Sequence, residues 1–271
     1  MELPVDLAVD LAVDLAVVTG ASSGIGAATV RVLVGLGYTV IAGARRLDRL
    51  NALAASLPAG RCVPMSVDVT NEASVAELAA ALGDRPLHLL VNNAGLSRGL
   101  ARLEDAPEEH WRTMMETNVF GVYRVTRALM PAIRRATTVP RASGSGTIAG
   151  HAHIVNMGSI AGFSNYVGGS GYAASKHAVR AISQTLRLEL VGAPIRVTEI
   201  NAGLVETEFS IVRFDGDVEA AKKPYAGITP LVAEDIADLV EFAVSRKPHV
   251  NIDEVVVKPV RQSWVSTVVR E

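Results

Sequence analysis

The sequence predicts an α/β domain in which helices cover both faces of one doubly wound parallel sheet of about seven strands. Short β-branched runs alternate with helical stretches from residue 15 onward, and a Gly-rich turn joins the first run to the first helix. The 271 residues, 49% of them hydrophobic, suit a single well-cored domain.

The predicted elements follow one another regularly along the chain. Each predicted strand is a short apolar or β-branched run, at 15–19, 38–44, 61–67, 88–92, 153–157, 195–201 and 252–258. Each predicted helix has apolar residues at helical spacing, over 24–36, 48–57, 71–82, 107–135 and 172–190.

Three stretches depart from this alternation. Residues 5–17 repeat Val-Asp-Leu-Ala, too briefly for a solenoid, so we expect 1–14 to be an N-terminal extension and 15–271 to be one domain. The Thr-, Ser-, Gly- and Pro-rich stretch 136–150 is expected to be a mobile surface insertion. Residues 205–230 follow the carboxyl end of a strand, where open α/β sheets bind ligands, so we expect a substrate lid there.

Charge and cysteine content exclude several classes of partner. With 26 Lys and Arg against 28 Asp and Glu, we expect neither nucleic acid nor a membrane surface as a partner. The single Cys62 permits no internal disulfide and too few thiolates for zinc, so we expect no metal site and a reducing compartment. The first basic residue is Arg31 and no long apolar run is present, which predicts a cytoplasmic protein.

The turn after the first predicted strand has the pattern of a dinucleotide site. Its sequence Thr-Gly-Ala-Ser-Ser-Gly-Ile-Gly ends at Gly26, and glycines there permit close approach of backbone to phosphate while the helix N-terminus faces the pyrophosphate. The predicted cofactor residues in this turn are Gly20, Ser22, Ser23, Gly24, Ile25 and Gly26.

The end of the second predicted strand indicates which dinucleotide is bound. Arg45 and Arg46 stand where a ribose-binding Asp or Glu is usual, and a guanidinium suits a 2′-phosphate, so we predict NADP over NAD. Asp48 begins a helix and is better explained as a favourable N-terminal charge. The alternative is that both arginines are solvated surface.

Four further features complete a recognisable set: Asn92-Asn-Ala-Gly95, Asn118 in a long helix, Ser159 after the fifth strand, and Tyr172-Ala-Ala-Ser-Lys176. Together with the glycine turn they resemble the short-chain dehydrogenase/reductase family over essentially the whole chain. The resemblance implies a Rossmann-type sheet, NADP-dependent oxidoreductase activity and a catalytic tetrad of Asn118, Ser159, Tyr172 and Lys176.

The chemistry of Tyr172 can be argued from the residues as well. Tyr172 and Lys176 are four apart and share a helix face, and an ammonium favours the phenolate. Lowering a phenol pKa to near neutrality takes roughly 3 units, about 4 kcal/mol, which we expect from Lys176 and the oxidised nicotinamide together. The alternative is a buried tyrosine with a satisfied hydroxyl.

The resemblance also implies roles for individual residues. Tyr172 would exchange the proton of the substrate hydroxyl, Ser159 would hydrogen-bond the reacting oxygen, Lys176 would hold the nicotinamide ribose, and Asn118 would support a water relay. Further implied cofactor contacts are Asp68, Val69, Asn93, Ala94, Gly95, Val205 and Thr207. Ala202-Gly203 replaces the usual Pro-Gly, so we expect a less ordered loop without lost binding.

The lid narrows the expected substrate. Residues 203–217, with Tyr225 and the ending Val257-Lys-Pro-Val-Arg-Gln262, resemble the NADP-dependent 3-hydroxy acid dehydrogenase branch, which includes serine 3-dehydrogenases. That resemblance implies oxidation at C3 of serine, L-allo-threonine or 3-hydroxyisobutyrate, and a homotetramer that pairs helices 107–135 and 172–190.

A small carboxylate substrate needs a cation near the tyrosine, and we predict that Arg98 or Arg213 supplies it, with Phe209 and Phe163 as apolar walls. The alternative for both arginines is solvent or a neighbouring subunit. Two other functions stay open: a broad carbonyl reductase of bulkier ketones, and a non-catalytic NADPH-binding protein.

Overall fold

The computed structural model describes residues 14–139, 141–143, 146–148 and 150–271, and within these ranges seven strands form one parallel sheet. Its strands are Leu15–Thr19 (β1), Thr39–Ala44 (β2), Cys62–Ser66 (β3), Leu89–Asn92 (β4), Ala152–Met157 (β7), Ile195–Ala202 (β8) and Glu254–Val257 (β9). Their order in the sheet is β3-β2-β1-β4-β7-β8-β9. The predicted doubly wound α/β fold is confirmed.

Helices cover both faces of this sheet. They are Gly24–Gly35 (α1), Leu47–Ala55 (α2), Glu72–Leu82 (α3), Glu108–Met115 (α4), Gly121–Ala136 (α5), Ser170–Glu189 (α6), Glu208–Arg213 (α7), Val218–Lys222 (α8) and Ala233–Val244 (α9). A π-helical turn, Glu116–Phe120, joins α4 to α5, where the sequence predicted one uninterrupted helix.

Alternate residues of the strands pack into two separate cores. Val17 of β1 belongs to the apolar cluster that contains Leu78 of α3 and Leu129 of α5. Its neighbour Val18 belongs to the cluster that contains Leu33 of α1 and Ile236 of α9. This period of two is the pattern of a sheet buried on both faces.

Helix α9 was missing from the predicted elements. Its residues Ile236, Ala237 and Val240 are buried and lie at helical spacing, and Ile236 and Val240 share a core with residues of α1. The carboxylate of Asp235 accepts a hydrogen bond from the Val232 N–H at 2.8 Å and so satisfies one backbone group at the start of the helix. The periodic signal was present, but the lid segment before it obscured where the helix begins.

Two of the predicted irregular stretches lie partly outside the described residues. Residues 1–13 of the predicted N-terminal extension are not described, whereas the Asp14 carbonyl accepts a hydrogen bond from the Thr39 N–H at 2.9 Å. Within 136–150, Arg141–Ser143 (β5) and Gly146–Ile148 (β6) pair as an antiparallel ladder. The predicted lid, 205–230, contains α7, α8 and a 3-10 turn at Lys223–Tyr225.

The direction of chain winding reverses between β1 and β4. From β1 the chain continues outward to β2 and β3, and it then returns to form β4 on the other side of β1. Ligands of open α/β sheets bind at such a switch point, beyond the carboxyl ends of the strands. Among the described residues, no helix is long and apolar enough to cross a bilayer.

Candidate active site

A cleft of about 470 Å³ opens at the carboxyl edge of the sheet. All of the predicted cofactor residues except Gly26 line it, as do Ser159, Tyr172 and Lys176 of the predicted tetrad. The sheet topology therefore brings together side chains that are as far apart in sequence as Ser22 and Thr207.

The glycine turn after β1 is held against the loop after β4. Gly20 has φ +67°, and a Cβ there would lie 2.9 Å from the Ala94 Cα. The Asn93 side-chain amide donates to the carbonyls of Thr19 at 2.9 Å and Gly20 at 3.2 Å. A Cβ on Gly26 would lie 2.4 Å from the Gly20 carbonyl oxygen, which explains this glycine by packing rather than by contact with a ligand.

The turn and the end of β2 form a basic, hydroxyl-rich end of the cleft. Arg46 donates from Nε to Ser22 Oγ at 3.1 Å and from NH2 to Ser23 Oγ at 2.7 Å. Arg45 lines the same region of the cleft wall. Guanidinium and hydroxyl donors at the N-terminal end of α1 suit a phosphate monoester, so the residues present fit a 2′-phosphorylated dinucleotide.

Asp68, which follows β3, lines the cleft beside this basic end. Its Oδ1 accepts hydrogen bonds from the Thr70 N–H at 2.9 Å and the Thr70 hydroxyl at 2.7 Å. Partial burial acts to raise the pKa of Asp68, but these two bonds and the charge of Arg45 outweigh it and lower the pKa below its usual value. The carboxylate is therefore ionised and held in place at neutral pH.

Tyr172 and Lys176 both belong to α6 and face the cleft. The Lys176 Nζ lies 5.8 Å from the centroid of the Tyr172 ring and donates to the Met157 carbonyl at 2.7 Å. Burial lowers the pKa of Lys176 to about 8, against the opposing charge of Glu199. The shared helix face predicted from the spacing of four is confirmed.

Burial raises the pKa of Tyr172 to about 12. A hydrogen bond from Ser159 and the charge of Arg213 act in the opposite direction, while Tyr166 and Tyr225 add to the increase. We expected Lys176 and the oxidised nicotinamide to lower this pKa together. The charges of the chain alone do not do so, because the cost of burying a phenolate exceeds their combined attraction.

Asn118 lies in the π-helical turn beneath the cleft and does not line it. Its Oδ1 accepts from the Leu96 N–H at 2.8 Å, and its Nδ2 donates to the Leu96 carbonyl at 2.8 Å and to Ser175 Oγ at 2.9 Å. The side chain thus ties the loop after β4 to α6. A Cβ on Gly95 would lie 3.2 Å from Asn118 Oδ1 and 3.8 Å from Lys176 Nζ, so a side chain at this position would crowd both groups.

The two arginines predicted as possible partners of a substrate carboxylate, Arg98 and Arg213, lie in different surroundings. Arg213 lines the cleft with its guanidinium carbon 5.7 Å from the Tyr172 ring centroid, and it donates to the Gly99 carbonyl and the Tyr166 hydroxyl. Arg98 is not among the residues that line this cleft, and its guanidinium contacts the Asp215 carboxylate.

The two candidate apolar walls also differ. The Phe209 ring packs edge to face on Tyr172 at 5.5 Å between centroids and lines the cleft. Phe163 instead packs against Trp264 at 6.3 Å and beneath Arg180 at 4.2 Å, outside the lining residues. The structure therefore leaves Phe209 as the wall next to the tyrosine.

Sequence reasoning assigned no site role to several residues of this region. Asn201 Oδ1 accepts a hydrogen bond from the Ser159 N–H at 3.0 Å, and a Cβ on Gly158 would come within 2.0 Å of that oxygen. The Tyr225 hydroxyl donates to the Val205 carbonyl at 2.9 Å and is 2.7 Å from Ser210 Oγ. Polar residues on strand β8, which is buried at every position but its last, were the available signal for Asn201.

Ala202-Gly203 stands where the family usually has Pro-Gly, and the loop that begins here is nevertheless held by several hydrogen bonds. Ala202 pairs with Val257 in the β8–β9 ladder, and the Gly203 N–H donates to the Val257 carbonyl at 2.8 Å. The Leu204 N–H donates to Gln262 Oε1 at 2.9 Å. These bonds hold the start of the lid without the proline.

Within the part of the chain that is described, no group of three His, Cys, Asp or Glu could hold a metal ion.

Comparisons with known proteins agree with this site. Residues 14–216 match the family model described as short chain dehydrogenase. The chain is 42% identical over 250 residues to the NADP-dependent 3-hydroxy acid dehydrogenase YdfG of Salmonella typhi, covering 91% of this chain and 95% of the relative. It is 39% identical over 252 residues to a sulfoacetaldehyde reductase of Chromohalobacter salexigens, covering 91% and 94% respectively.

A solved structure described as the closed form of serine dehydrogenase complexed with NADP+ has a TM-score of 0.85 and 37% identity, and the match covers 95% of this chain and 99% of that one. These names agree with the predicted cofactor and with the predicted branch. The chain belongs to the short-chain dehydrogenase/reductase family and is an NAD(P)-dependent oxidoreductase.

Proposed function

We propose that this chain is an NADP-dependent oxidoreductase that transfers a hydride between nicotinamide and the C3 position of small 3-hydroxy acids. Arg213 carries this proposal, because it places a guanidinium 5.7 Å from the Tyr172 ring inside the cleft. A cation at that position gives an anionic substrate a fixed orientation relative to the acid-base group.

NADP is the proposed cofactor. Its 2′-phosphate would be held by Arg45 and Arg46 with the hydroxyls of Ser22 and Ser23, and its pyrophosphate would lie on the backbone of the glycine turn. The dinucleotide supplies a hydride acceptor or donor when bound. Two relatives are described with NADP, which supports the same assignment.

Tyr172 is the proposed general acid and base. In oxidation the phenolate takes the hydroxyl proton while the C3 hydride leaves, and a carbonyl results; in reduction the phenol returns that proton to the carbonyl oxygen. Ser159, which hydrogen-bonds Tyr172, would hold the reacting oxygen, and Asn201 fixes the backbone of Ser159. Lys176 would hold the ribose, and Asn118 would support a water relay behind it.

The proposed substrate is a small acid because aromatic side chains limit the space around Tyr172. Phe209 packs on the Tyr172 ring, and Tyr166 contacts Arg213 beside it. A broad carbonyl reductase of bulkier ketones is the second candidate within enzymes. A sulfonate is also compatible with an anchor that recognises charge, and one relative is named for sulfoacetaldehyde. A non-catalytic NADPH-binding protein has no need of an acid-base tyrosine.

The proposed assembly is a homotetramer that pairs the α4–α5 region and α6 with their copies. Phe120 and Tyr123 are exposed on one of these elements, and Leu188 and Val191 are exposed at the end of the other. Exposed apolar residues on both paired elements support this arrangement. Sedimentation equilibrium that gave the mass of a monomer would contradict it.

The function is tested by initial-rate NADP+ reduction with L-serine, L-allo-threonine, 3-hydroxyisobutyrate and 2-hydroxyethanesulfonate, beside NAD+. We expect turnover of at least one carboxylic acid with NADP+, and a loss of about 100-fold or more in kcat for Tyr172→Phe with cofactor affinity retained. Turnover of bulky ketones alone would favour the broad reductase, and binding without turnover of either class would contradict the enzymatic proposal.

The anchor is tested by comparing Arg213→Met with Arg98→Met. We expect Arg213→Met to lower kcat/KM for the best acid by up to about 100-fold, because hydrogen bonds to a charged group are worth about 1.5–3 kcal/mol, while kcat/KM for a neutral alcohol falls much less. Arg98→Met serves as the matched control because it removes a nearby guanidinium outside the cleft. Equal losses in both variants would contradict the assignment of Arg213.

A further inference from the structure

Glu208, the first residue of α7, bridges the lid to the basic end of the cleft. Its Oε2 accepts a hydrogen bond from Arg46 NH1 at 2.9 Å, and its Oε1 contacts the guanidinium of Arg49. Partial burial acts to raise the pKa of Glu208, but the hydrogen bonds from Arg49, Arg46 and Ser23 outweigh it and lower the pKa to about 2. The side chain therefore carries a full negative charge at neutral pH.

The Arg46 guanidinium, which binds Glu208, is also the central hydrogen-bond donor at the basic end of the cleft. Nε and NH2 of Arg46 face the hydroxyls of Ser22 and Ser23, while its NH1 is bound to Glu208. A phosphate placed against Ser22, Ser23 and Arg46 would lie beside the Glu208 carboxylate. Two anions on one guanidinium repel each other and divide its hydrogen bonds between them.

A second arginine, Arg49, binds the same carboxylate. It lies in α2, and its guanidinium contacts Glu208 Oε1. The side chains of Arg46, Arg49 and Glu208 are 38–45% exposed, so these ion pairs are weak enough to rearrange. A carboxylate that binds an arginine of a phosphate site competes with the phosphate for the hydrogen-bond donors of that arginine.

We propose that Glu208 competes with the 2′-phosphate of the cofactor for Arg46, and thereby limits the preference of this chain for NADP over NAD. This inference rests on the NADP dependence proposed above. Glu208 is thus a specificity-determining residue contributed by the lid, and its charge sets how tightly a phosphate monoester is held at the far end of the cofactor.

The experiment measures dissociation constants of adenosine 2′,5′-bisphosphate and 5′-AMP by calorimetry on the full chain and on Glu208→Gln. Glutamine keeps the shape and the acceptor oxygen but removes the charge. We expect the bisphosphate to bind about tenfold more tightly to Glu208→Gln, with 5′-AMP unchanged, and the gain to shrink in about 0.5 M NaCl. The dissociation constant of NADP+ should change as that of the bisphosphate does, and the dissociation constant of NAD+ should stay unchanged like that of 5′-AMP.

Glu206→Gln is the matched control because Glu206 is an acid two residues earlier that does not line the cleft. We expect it to change neither constant. Unchanged or weaker bisphosphate binding in Glu208→Gln would overturn the proposal, since a weaker constant would mean that Glu208 orients Arg46 for the phosphate.

Failure of the Glu208 competition can be told apart from failure of the proposed function. Should the wild-type chain and Arg46→Ala both bind the bisphosphate no more tightly than 5′-AMP, the NADP assignment fails and the competition fails with it. Should the fragment constants behave as expected while no hydroxy acid is turned over, the competition stands and only the substrate assignment fails.

Discussion

Tyr172 is held in an environment that favours its neutral form. Burial raises its pKa to about 12, and Arg213 and the Ser159 hydrogen bond offset only part of that increase. A neutral phenol is the form that donates a proton to a carbonyl oxygen, whereas oxidation of an alcohol requires the phenolate. With Tyr172 as the proposed acid-base group, the chain by itself would therefore favour reduction, and oxidation would need added positive charge, which the oxidised cofactor would supply.

The two directions should respond differently to pH. We expect kcat/KM for oxidation to rise with pH between about pH 7 and pH 9, because burial raises the pKa of Tyr172 and the phenolate fraction that takes the proton grows with pH. Reduction should change less than about threefold over the same range, because the phenol stays protonated. Rates measured in both directions check this, and an oxidation rate independent of pH would contradict it.

Among the structural elements, the π-helical turn at Glu116–Phe120 has a clear role. It places Asn118 where one side chain satisfies both backbone groups of Leu96 and the Ser175 hydroxyl. A regular helix would direct residue 118 differently, because each residue advances about 100° around the axis. The turn therefore connects the loop after β4, which lines the cleft, to the helix that carries Tyr172.

Asn118→Leu should destabilise the chain by about 2–4 kcal/mol, because buried donors and acceptors around Leu96 and Ser175 lose their partner. Urea unfolding near pH 7 measures the change in the free energy of unfolding. Glu109→Gln, on the exposed side of α4, is the control and should shift it by less than about 0.5 kcal/mol. Equal effects of the two substitutions would contradict a structural role for the Asn118 hydrogen bonds.

At the scale of the whole molecule, buried histidines lie at the amino edge of the sheet, on the side opposite the cleft. His88 accepts a hydrogen bond from the Leu15 N–H on Nδ1 at 3.2 Å, and its Nε2 lies 3.7 Å from Asp14 Oδ1. Despite that carboxylate, burial and then the charge of His151 lower the pKa of His88 to about 4. Burial also lowers the pKa of His153, which contacts Thr198 Oγ1 at 2.8 Å.

The stability of the chain should therefore fall with acidification. The unfolded chain binds a proton at His88 near pH 6.5 and the folded chain only near pH 4, so stability present above pH 6.5 is lost as the pH falls through this window. We expect His88 to account for about 2 kcal/mol of the loss between pH 7 and pH 5.

Urea unfolding at both pH values measures that loss. It should be smaller by about 2 kcal/mol in His88→Gln and unchanged in His249→Gln, which alters an exposed histidine. The same pH dependence in wild type and His88→Gln would contradict the role of His88.

Local patterns were enough to predict the fold class and much of the site. The seven sheet strands follow from short apolar runs, and the glycine turn and the Tyr172–Lys176 pair follow from spacing within one element. The Arg46 position at the end of β2 also followed, because the carboxyl ends of parallel strands meet at one edge. In each case the information lies within about ten residues of sequence.

Contacts between distant segments were decided only by the tertiary structure. Arg213 rather than Arg98 lines the cleft, Asn201 holds Ser159 from 42 residues away, and Glu208 bridges to Arg46 from 162 residues away. Each contact depends on where a lid or a neighbouring strand is placed by the packing of the two cores. Side-chain spacing along one element fixes which residues share a face, but the direction in which a loop side chain points is set by the surfaces that it meets.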